Sequence, residues 1–129
     1  MQQRFTLEPV PGSIRRARWL VALAIDEAGV SCDNAVLLTS ELASNVVHHA
    51  RTPSELVIDI SDKRIRVEMH DDVAVTTAFR QLVTKPPTIV DAASISGRGL
   101  GLIHTTAIDV GLIDKGDNGK AVWFEIGPD

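Results

Sequence analysis

A chain of 129 residues is long enough to bury one hydrophobic core, and its formal net charge of −4 argues against a general nucleic-acid binder. The single cysteine, Cys32, excludes an internal disulfide and a cysteine-based zinc site. No apolar run approaches the roughly 20 residues that span a bilayer, and residues 1–5 lack the apolar core of a signal peptide. We therefore expect one cytoplasmic domain over residues 1–129.

A short strand and two helices are predicted for the first part of the chain. Residues 5–10 form the candidate strand, which prolines end. Apolar residues spaced three and four apart predict a first helix over residues 14–28 and a second over residues 33–50, which Ser31 can cap. His49 falls on the apolar stripe of the second helix, so we expect it in the core rather than as a ligand.

Two hairpins follow. Residues 56–60 and 64–70 alternate between apolar and polar side chains on either side of a tight turn. Residues 110–114 and 120–126 are joined by the sequence Gly-Asp-Asn-Gly over residues 116–119, which favours a hairpin. The order β-α-α-β-β-loop-α-β-β predicts an α+β two-layer sandwich, in which a mixed, mostly antiparallel sheet carries helices on one face.

The stretch between the hairpins, residues 71–96, has little periodicity. A loop of this length in a compact domain is typical of a functional lid or a disordered segment. A short helix over residues 77–82 is an alternative within it.

A glycine-rich stretch, Ser-Gly-Arg-Gly-Leu-Gly-Leu over residues 96–102, opens a predicted helix over residues 100–107. Glycines let backbone amides approach a ligand closely, and a helix start offers free N–H donors, so the junction suits a phosphate. Taken alone, the pattern fits a flexible turn better than a phosphate site.

Two further groups of residues carry chemistry. Glu41 and Asn45 are four residues apart and share one face of the second helix, where an amide oxygen suits Mg²⁺; a solvated face with a Glu–Asn hydrogen bond is the alternative. Asp71 ends a strand and lies two residues after Met69, so its side chain is predicted on the same inward-facing side of the strand. Its carboxylate could accept a hydrogen bond from an exocyclic amine such as that of adenine, or could merely start a turn.

The order of these features along the chain resembles the Bergerat (GHKL) ATP-binding fold. A helix with Glu-x-x-x-Asn comes first, followed by the strand that ends in Asp71, the long loop and the glycine-rich helix start. Gyrase, the mismatch-repair MutL proteins and sensor histidine kinases share this histidine-kinase-like ATPase fold. The wording Glu-Leu-x-x-Asn-x-x-x-His-Ala and Gly-Arg-Gly-Leu-Gly-Leu is similar to one branch, the anti-sigma-factor serine/threonine kinases, particularly small actinobacterial ATP-binding regulators. The resemblance covers nearly the whole chain.

The resemblance implies a role for each matching position. Glu41 matches the presumed base or water-positioning residue, Asn45 the residue that coordinates Mg²⁺ on the ATP phosphates, and Asp71 the residue that binds the adenine amino group. The second glycine box, whose amides approach the phosphates, corresponds to Gly97, Gly99, Leu100 and Gly101. Arg98 lies where its charge can reach the phosphates, and residues 76–96 correspond to the ATP lid.

The same resemblance implies cofactors and partners. We expect a protein that uses ATP and Mg²⁺, holds a sigma factor away from RNA polymerase and phosphorylates a serine or threonine of an anti-sigma-factor antagonist. No direct contact with nucleic acid or membrane is expected, and a homodimer is expected. A weaker alternative is a detached catalytic domain that acts with a separate histidine-containing protein.

The sequence departs from the family after Asp71. The first glycine box has the form Asp-x-Gly-x-Gly, whereas this chain reads Asp-Asp-Val-Ala-Val over residues 71–75. Valine is β-branched and tolerates left-handed dihedrals poorly, so Val73 predicts either a different path for the loop or a narrower adenine pocket. It motivates a second hypothesis, a binding module that keeps the fold, has lost efficient catalysis and regulates by protein–protein contact.

Overall fold

The computed structural model of the protein describes residues 2–84, residue 103 and residues 106–129. The glycine-rich stretch at residues 96–102 and most of the predicted lid lie outside the described residues.

The described strands form one five-stranded sheet in the order β1-β2-β3-β5-β4, and every neighbouring pair is antiparallel. The strands are β1 Gln2–Leu7, β2 Ser54–Ser61, β3 Arg64–Asp71, β4 Asp109–Asp114 and β5 Lys120–Ile126. The helices are α1 Gly12–Glu27, α2 Asp33–His49 and α3 Thr77–Thr84. The predicted α+β sandwich is confirmed, and so is a short helix within the stretch that lacked periodicity.

Local turn chemistry sets the register of the two hairpins. Asp62 and Lys63, with φ angles of 50° and 65°, give the β2–β3 turn two left-handed residues, whose twist matches that of the strands. A short 3₁₀ turn at Gly116–Asn118 and Gly119 joins β4 to β5, as the Gly-Asp-Asn-Gly sequence predicts. These turns place the end of β3 beside the start of β5.

The core lies between the helices and one face of the sheet. Ile65, Val67 and Met69 of β3 are at most 1% exposed, as their alternation predicts. The apolar stripes of α1 and α2 pack over them, and Phe124 of β5 is fully buried beneath. None of the helices in the described ranges combines the length and the apolar character needed to cross a membrane.

Two predictions for α2 are wrong. Cys32 rather than Ser31 precedes the helix, and no side chain of the preceding residues caps it. Instead the Asp33 N–H donates to Oδ2 of Asp129 at 3.2 Å, so a carboxylate far along the chain meets the helix start. His49 is exposed rather than in the core, although Val46 and Ala50 beside it are buried, because its side chain lies at an opening between α2 and the ends of β3 and β5.

The opposite face of the sheet carries what we call the outer network, which consists of Arg64, Arg66, Glu68, His70 and Glu125. Arg66 contacts Glu68 at 2.7 Å and Glu125 at 3.1 Å, and its guanidinium lies 3.9 Å from the centre of the Trp123 ring. Burial alone raises the pKa of Glu68. Hydrogen bonds from His70 and Arg66, with the charges of both, outweigh burial and hold the pKa below its usual value.

Candidate functional site

A cavity of about 280 Å³ lies between α2, α3 and the adjoining ends of β3 and β5. Most of its wall is apolar, and a few polar side chains enter it, an arrangement typical of small-molecule sites. Its polar lining residues are Asn45, His49, Asp71, Thr76 and Lys120. Because ligand sites begin at about 300 Å³, the described walls suit a ring-sized group such as a nucleobase.

Asp71 ends β3 and its side chain turns inward, as its parity predicts. Its Oδ1 atom accepts hydrogen bonds from the Val73 N–H at 2.8 Å and from Nζ of Lys120 at 2.9 Å. Within the described part of the chain, Oδ2 accepts no hydrogen bond. Oδ1 of Asp71 therefore accepts hydrogen bonds from the protein, while Oδ2 can accept one from a ligand.

The turn after Asp71 takes a path that valine permits. Among the described non-glycine residues, positive φ angles occur at Arg51, Asp62 and Lys63, so Val73 has no left-handed strain. Its N–H binds Asp71, its carbonyl lies 3.3 Å from Nζ of Lys120, and its side chain stands at the cavity wall. The backbone of Val73 is therefore not left-handed and its side chain lies in the cavity wall, while the two outcomes that Val73 predicted, a different loop path and a narrower adenine pocket, both stay predictions.

Gly119, rather than a glycine in the turn after Asp71, brings its backbone close to the backbone of Asp71. Gly119 has a φ of 102°, and a Cβ atom there would lie 1.9 Å from the backbone oxygen of Asp71. Only a residue without a side chain fits this approach. The sequence indicates Gly119 as a turn residue, but its contact with Asp71 depends on the pairing of β3 with β5.

Lys120 was not predicted as a site residue. It lies directly opposite Asp71 in the β3–β5 register and is 7% exposed. The signal that could have found it is strand parity, since Lys120 shares the inward face of β5 with the buried residues Val122 and Phe124.

The structure brings Asn45 and Asp71 to the wall of one cavity, and adds His49 one turn after Asn45. Glu41 lies one turn before Asn45 on α2, half-buried, and does not line the cavity. Nearby, Ser44 and His48 are hydrogen-bonded to each other at 3.1 Å. The catalytic role of Glu41 and the binding roles of Asn45 and Asp71 stay predictions.

The predicted phosphate-binding residues lie outside the described residues: Gly97, Arg98, Gly99, Leu100 and Gly101. Ile103, which falls in the helix predicted after them, is helical and fully buried. The helix prediction is therefore supported at that position.

The donor set of the cavity fits Mg²⁺ better than a metal held by protein alone. Among the described residues, no group of three or more His, Cys, Asp or Glu side chains could hold a metal ion. Asn45 supplies one neutral amide oxygen, and Mg²⁺ usually takes one or two protein ligands while waters and phosphates provide the rest.

Comparison with known proteins gives one family. Residues 7–126, nearly the whole chain, match the family model of the histidine kinase-like ATPase domain. No curated protein matches the chain.

Proposed function

The chain belongs to the histidine kinase-like ATPase domain family, and from this premise we propose that it binds ATP with Mg²⁺, with the adenine base in the cavity beside Asp71. The observation that carries the proposal is the meeting of Asn45 and Asp71 at one mostly apolar cavity within a chain that matches this ATPase family. The Oδ2 atom of Asp71, which accepts no hydrogen bond from the described residues, supports the placement of the base.

Each lining residue has a task that its chemistry fits. The Asp71 carboxylate accepts from the adenine amino group, and the apolar wall, which includes Met69 and Val122, covers the faces of the ring. The Asn45 amide oxygen faces Mg²⁺ or one of its waters. When bound, the metal neutralises charge on the phosphates.

We further propose that the protein is a regulator of the anti-sigma-factor type. Its motifs Glu-Leu-x-x-Asn-x-x-x-His-Ala and Gly-Arg-Gly-Leu-Gly-Leu, and the similarity over nearly the whole chain, support this assignment. In this role it binds a sigma factor as a homodimer and transfers the γ-phosphoryl group of ATP to a serine or threonine hydroxyl of an antagonist protein. Glu41 positions or activates that hydroxyl.

Calorimetry with ATP, with and without Mg²⁺, tests the binding proposal. We expect Asp71→Asn to weaken ATP binding by about tenfold or more, because an exchanged hydrogen-bond partner at the base costs on the order of 1–3 kcal/mol. Asp72→Asn is the matched control, since Asp72 is the exposed neighbour and does not line the cavity. Absence of both heat and thermal stabilisation at millimolar ATP would contradict the proposal.

Phosphoryl transfer is tested with radiolabelled ATP and antagonist proteins supplied one at a time. Glu41→Ala should abolish labelling of the antagonist and leave ATP affinity unchanged, whereas Glu27→Ala, on the exposed side of α1, should leave both unchanged. Full-rate labelling by the Glu41 variant would remove Glu41 from its proposed role. ATP binding without labelling of any antagonist would favour the second hypothesis, a regulator that acts by contact alone.

A further inference from the structure

We propose that Lys120 is a positioning residue for base recognition: without touching the base, it keeps the Asp71 carboxylate ionised, with one oxygen held by the protein and the other left to accept from the ligand. The inference rests on the proposed function, because it assumes that the base enters the cavity at Asp71. It adds to that function the residue on which the acceptor strength of Asp71 depends.

The contacts of the Lys120 ammonium carry the inference. Nζ lies 2.9 Å from Oδ1 of Asp71, 3.3 Å from the carbonyl oxygen of Val73 and 4.8 Å from the centre of the Phe79 ring. These partners belong to β3, to the turn after it and to α3. Lys120 therefore acts on the cavity through its walls.

Two hydrogen bonds to Oδ1 hold the carboxylate of Asp71 in place. One comes from the Val73 N–H at 2.8 Å and the other from Nζ of Lys120 at 2.9 Å. Oδ2, which accepts no hydrogen bond from the part of the chain that the structure describes, thereby has a fixed position. A ligand that donates a hydrogen bond meets an acceptor that is already oriented.

The surroundings of Asp71 make its charge dependent on Lys120. The Asp71 side chain is 4% exposed, and the cavity that it lines is mostly apolar. Burial disfavours a charged carboxylate, and a nearby cation favours it. Among the described residues, Lys120 supplies the one cation in ion-pair contact with Asp71. Removing that cation therefore favours the protonated carboxyl group.

Protonation would change the oxygen that is available to the ligand. Since Oδ1 accepts from the Val73 N–H, a proton taken up by Asp71 is best placed on Oδ2. A neutral oxygen that carries a proton is a weaker acceptor than a carboxylate oxygen, whose hydrogen bonds are about twice as strong as those between neutral groups. The hydrogen bond from the adenine amino group therefore depends on the charge of Lys120.

Several other charged or titratable groups surround the end of β3. His49 reaches the cavity wall from α2 with an exposed side chain. Asp114 lies opposite Lys120 on β4 and is paired with Arg80 of α3. An open groove beside Asp71 is lined by further such groups, Glu55, His70, Asp72 and Lys115. All of them are present in the wild type and in Lys120 variants, so the ratio of the two affinities isolates the effect of Lys120.

A purely structural purpose accounts for the inner pair less well. A buried ion pair seldom stabilises a fold more than apolar side chains of similar size, because removing both charges from water is costly. Asp71 and Lys120 also line a cavity, rather than filling the packed layer between elements.

Calorimetry with ATP and Mg²⁺ at two pH values tests the inference. We expect the ratio of the Lys120→Met dissociation constant to the wild-type constant to rise by about tenfold or more between about pH 8 and about pH 6, because Asp71 of the variant takes up a proton. Lys120→Arg keeps a cation, and its ratio should change by less than roughly threefold. Lys115→Met, at an exposed lysine of the same hairpin, is the matched control and should behave as the wild type.

The same substitution in an Asp71→Asn background separates an action through the carboxylate from a general effect on the cavity. An asparagine side chain does not ionise, so Lys120→Met should there change the ATP affinity by less than roughly threefold at both pH values. This double variant leaves no carboxylate without its cation, so it decides the question if Lys120→Met alone does not fold.

The outcomes separate the two proposals. A Lys120→Met ratio that does not change with pH overturns the role of Lys120 and leaves ATP binding intact. An equal loss of affinity in the wild-type and Asp71→Asn backgrounds overturns it too, and so does a rise for Lys120→Arg as large as that for Lys120→Met. Absence of ATP binding by the wild type at both pH values overturns both proposals.

Discussion

Two sets of ion pairs join the same two strands, β3 and β5, and they differ in surroundings rather than in distance. In the outer network the N–O distances from Arg66 are 2.7 and 3.1 Å, and its side chain is 28% exposed. At the cavity the Lys120–Asp71 distance is 2.9 Å, and the two side chains are 9% and 4% exposed. The outer charges share several partners and are screened by water, whereas the inner charges depend largely on each other. Ion pairs with similar N–O distances are therefore expected to contribute differently to the free energy of unfolding.

Removing the charge of Lys120 at the cavity should have the largest effect on the free energy of unfolding. Lys120→Met leaves the Asp71 carboxylate buried without its cation, and we expect the free energy of unfolding to fall by about 4 kcal/mol. Urea denaturation measures it. The double variant Asp71→Leu with Lys120→Met has no unpaired charge and should recover most of the loss. A double variant as unstable as the single one would contradict this explanation.

The next largest loss of stability is expected from substitutions of two glycines, Gly119 beside the inner ion pair and Gly111 beside the outer network. Gly119→Ala places a methyl group against the backbone of Asp71 at a positive φ, and we expect a loss of about 3 kcal/mol. Gly111→Ala, beneath the outer network, meets the Trp123 ring at 2.3 Å. The clashing atoms there belong to a half-buried side chain rather than to the backbone, so we expect a smaller loss of about 1 kcal/mol. Equal losses in urea denaturation would remove the distinction between the two regions.

Removing the central outer cation should cost less than removing the inner one. Arg66→Met loses its contacts with Glu68 and Glu125 and its stacking on Trp123, and we expect a loss of about 1 kcal/mol. The loss should shrink in high salt, which screens exposed charges. A loss as large as that of Lys120→Met would mean that the outer network behaves as a buried one.

The smallest expected effect is a pH dependence of the stability that the outer network provides through Glu68. The folded-state pKa of Glu68 lies below the value of 4.5 expected in the unfolded chain. The stabilisation is therefore present above pH 4.5, and it is lost as the pH falls from there through the folded-state pKa. Thermal unfolding of the wild type and Glu68→Gln should show a gap that narrows in this range. A gap that widens on acidification would contradict the sign.

The sequence predicts the layers well and the cavity only in part. Alternation identifies the strands, and parity turns Asp71 inward because one face of β3 must be buried. Parity also turns Lys120 inward, but a lysine at a strand start is typical of a surface residue, and its partner depends on strand register. The apolar stripe of α2 predicts His49 in the core, but its side chain is exposed at the cavity wall, and a helix stripe does not show where a cavity opens. The contact of Gly119 with Asp71 arises only when β3 pairs with β5.

The contact between Asp129 and the start of α2 has a consequence for the timing of folding. It joins residues 96 positions apart, and it is accompanied by a bond of 2.7 Å from the Asp129 N–H to the Ser31 carbonyl. A contact across so long a separation forms late, because the entropy of closing the intervening loop must first be offset by other contacts. We therefore expect the helix that carries Asn45 to gain the carboxylate at its N-terminus only after β5 has docked on the sheet.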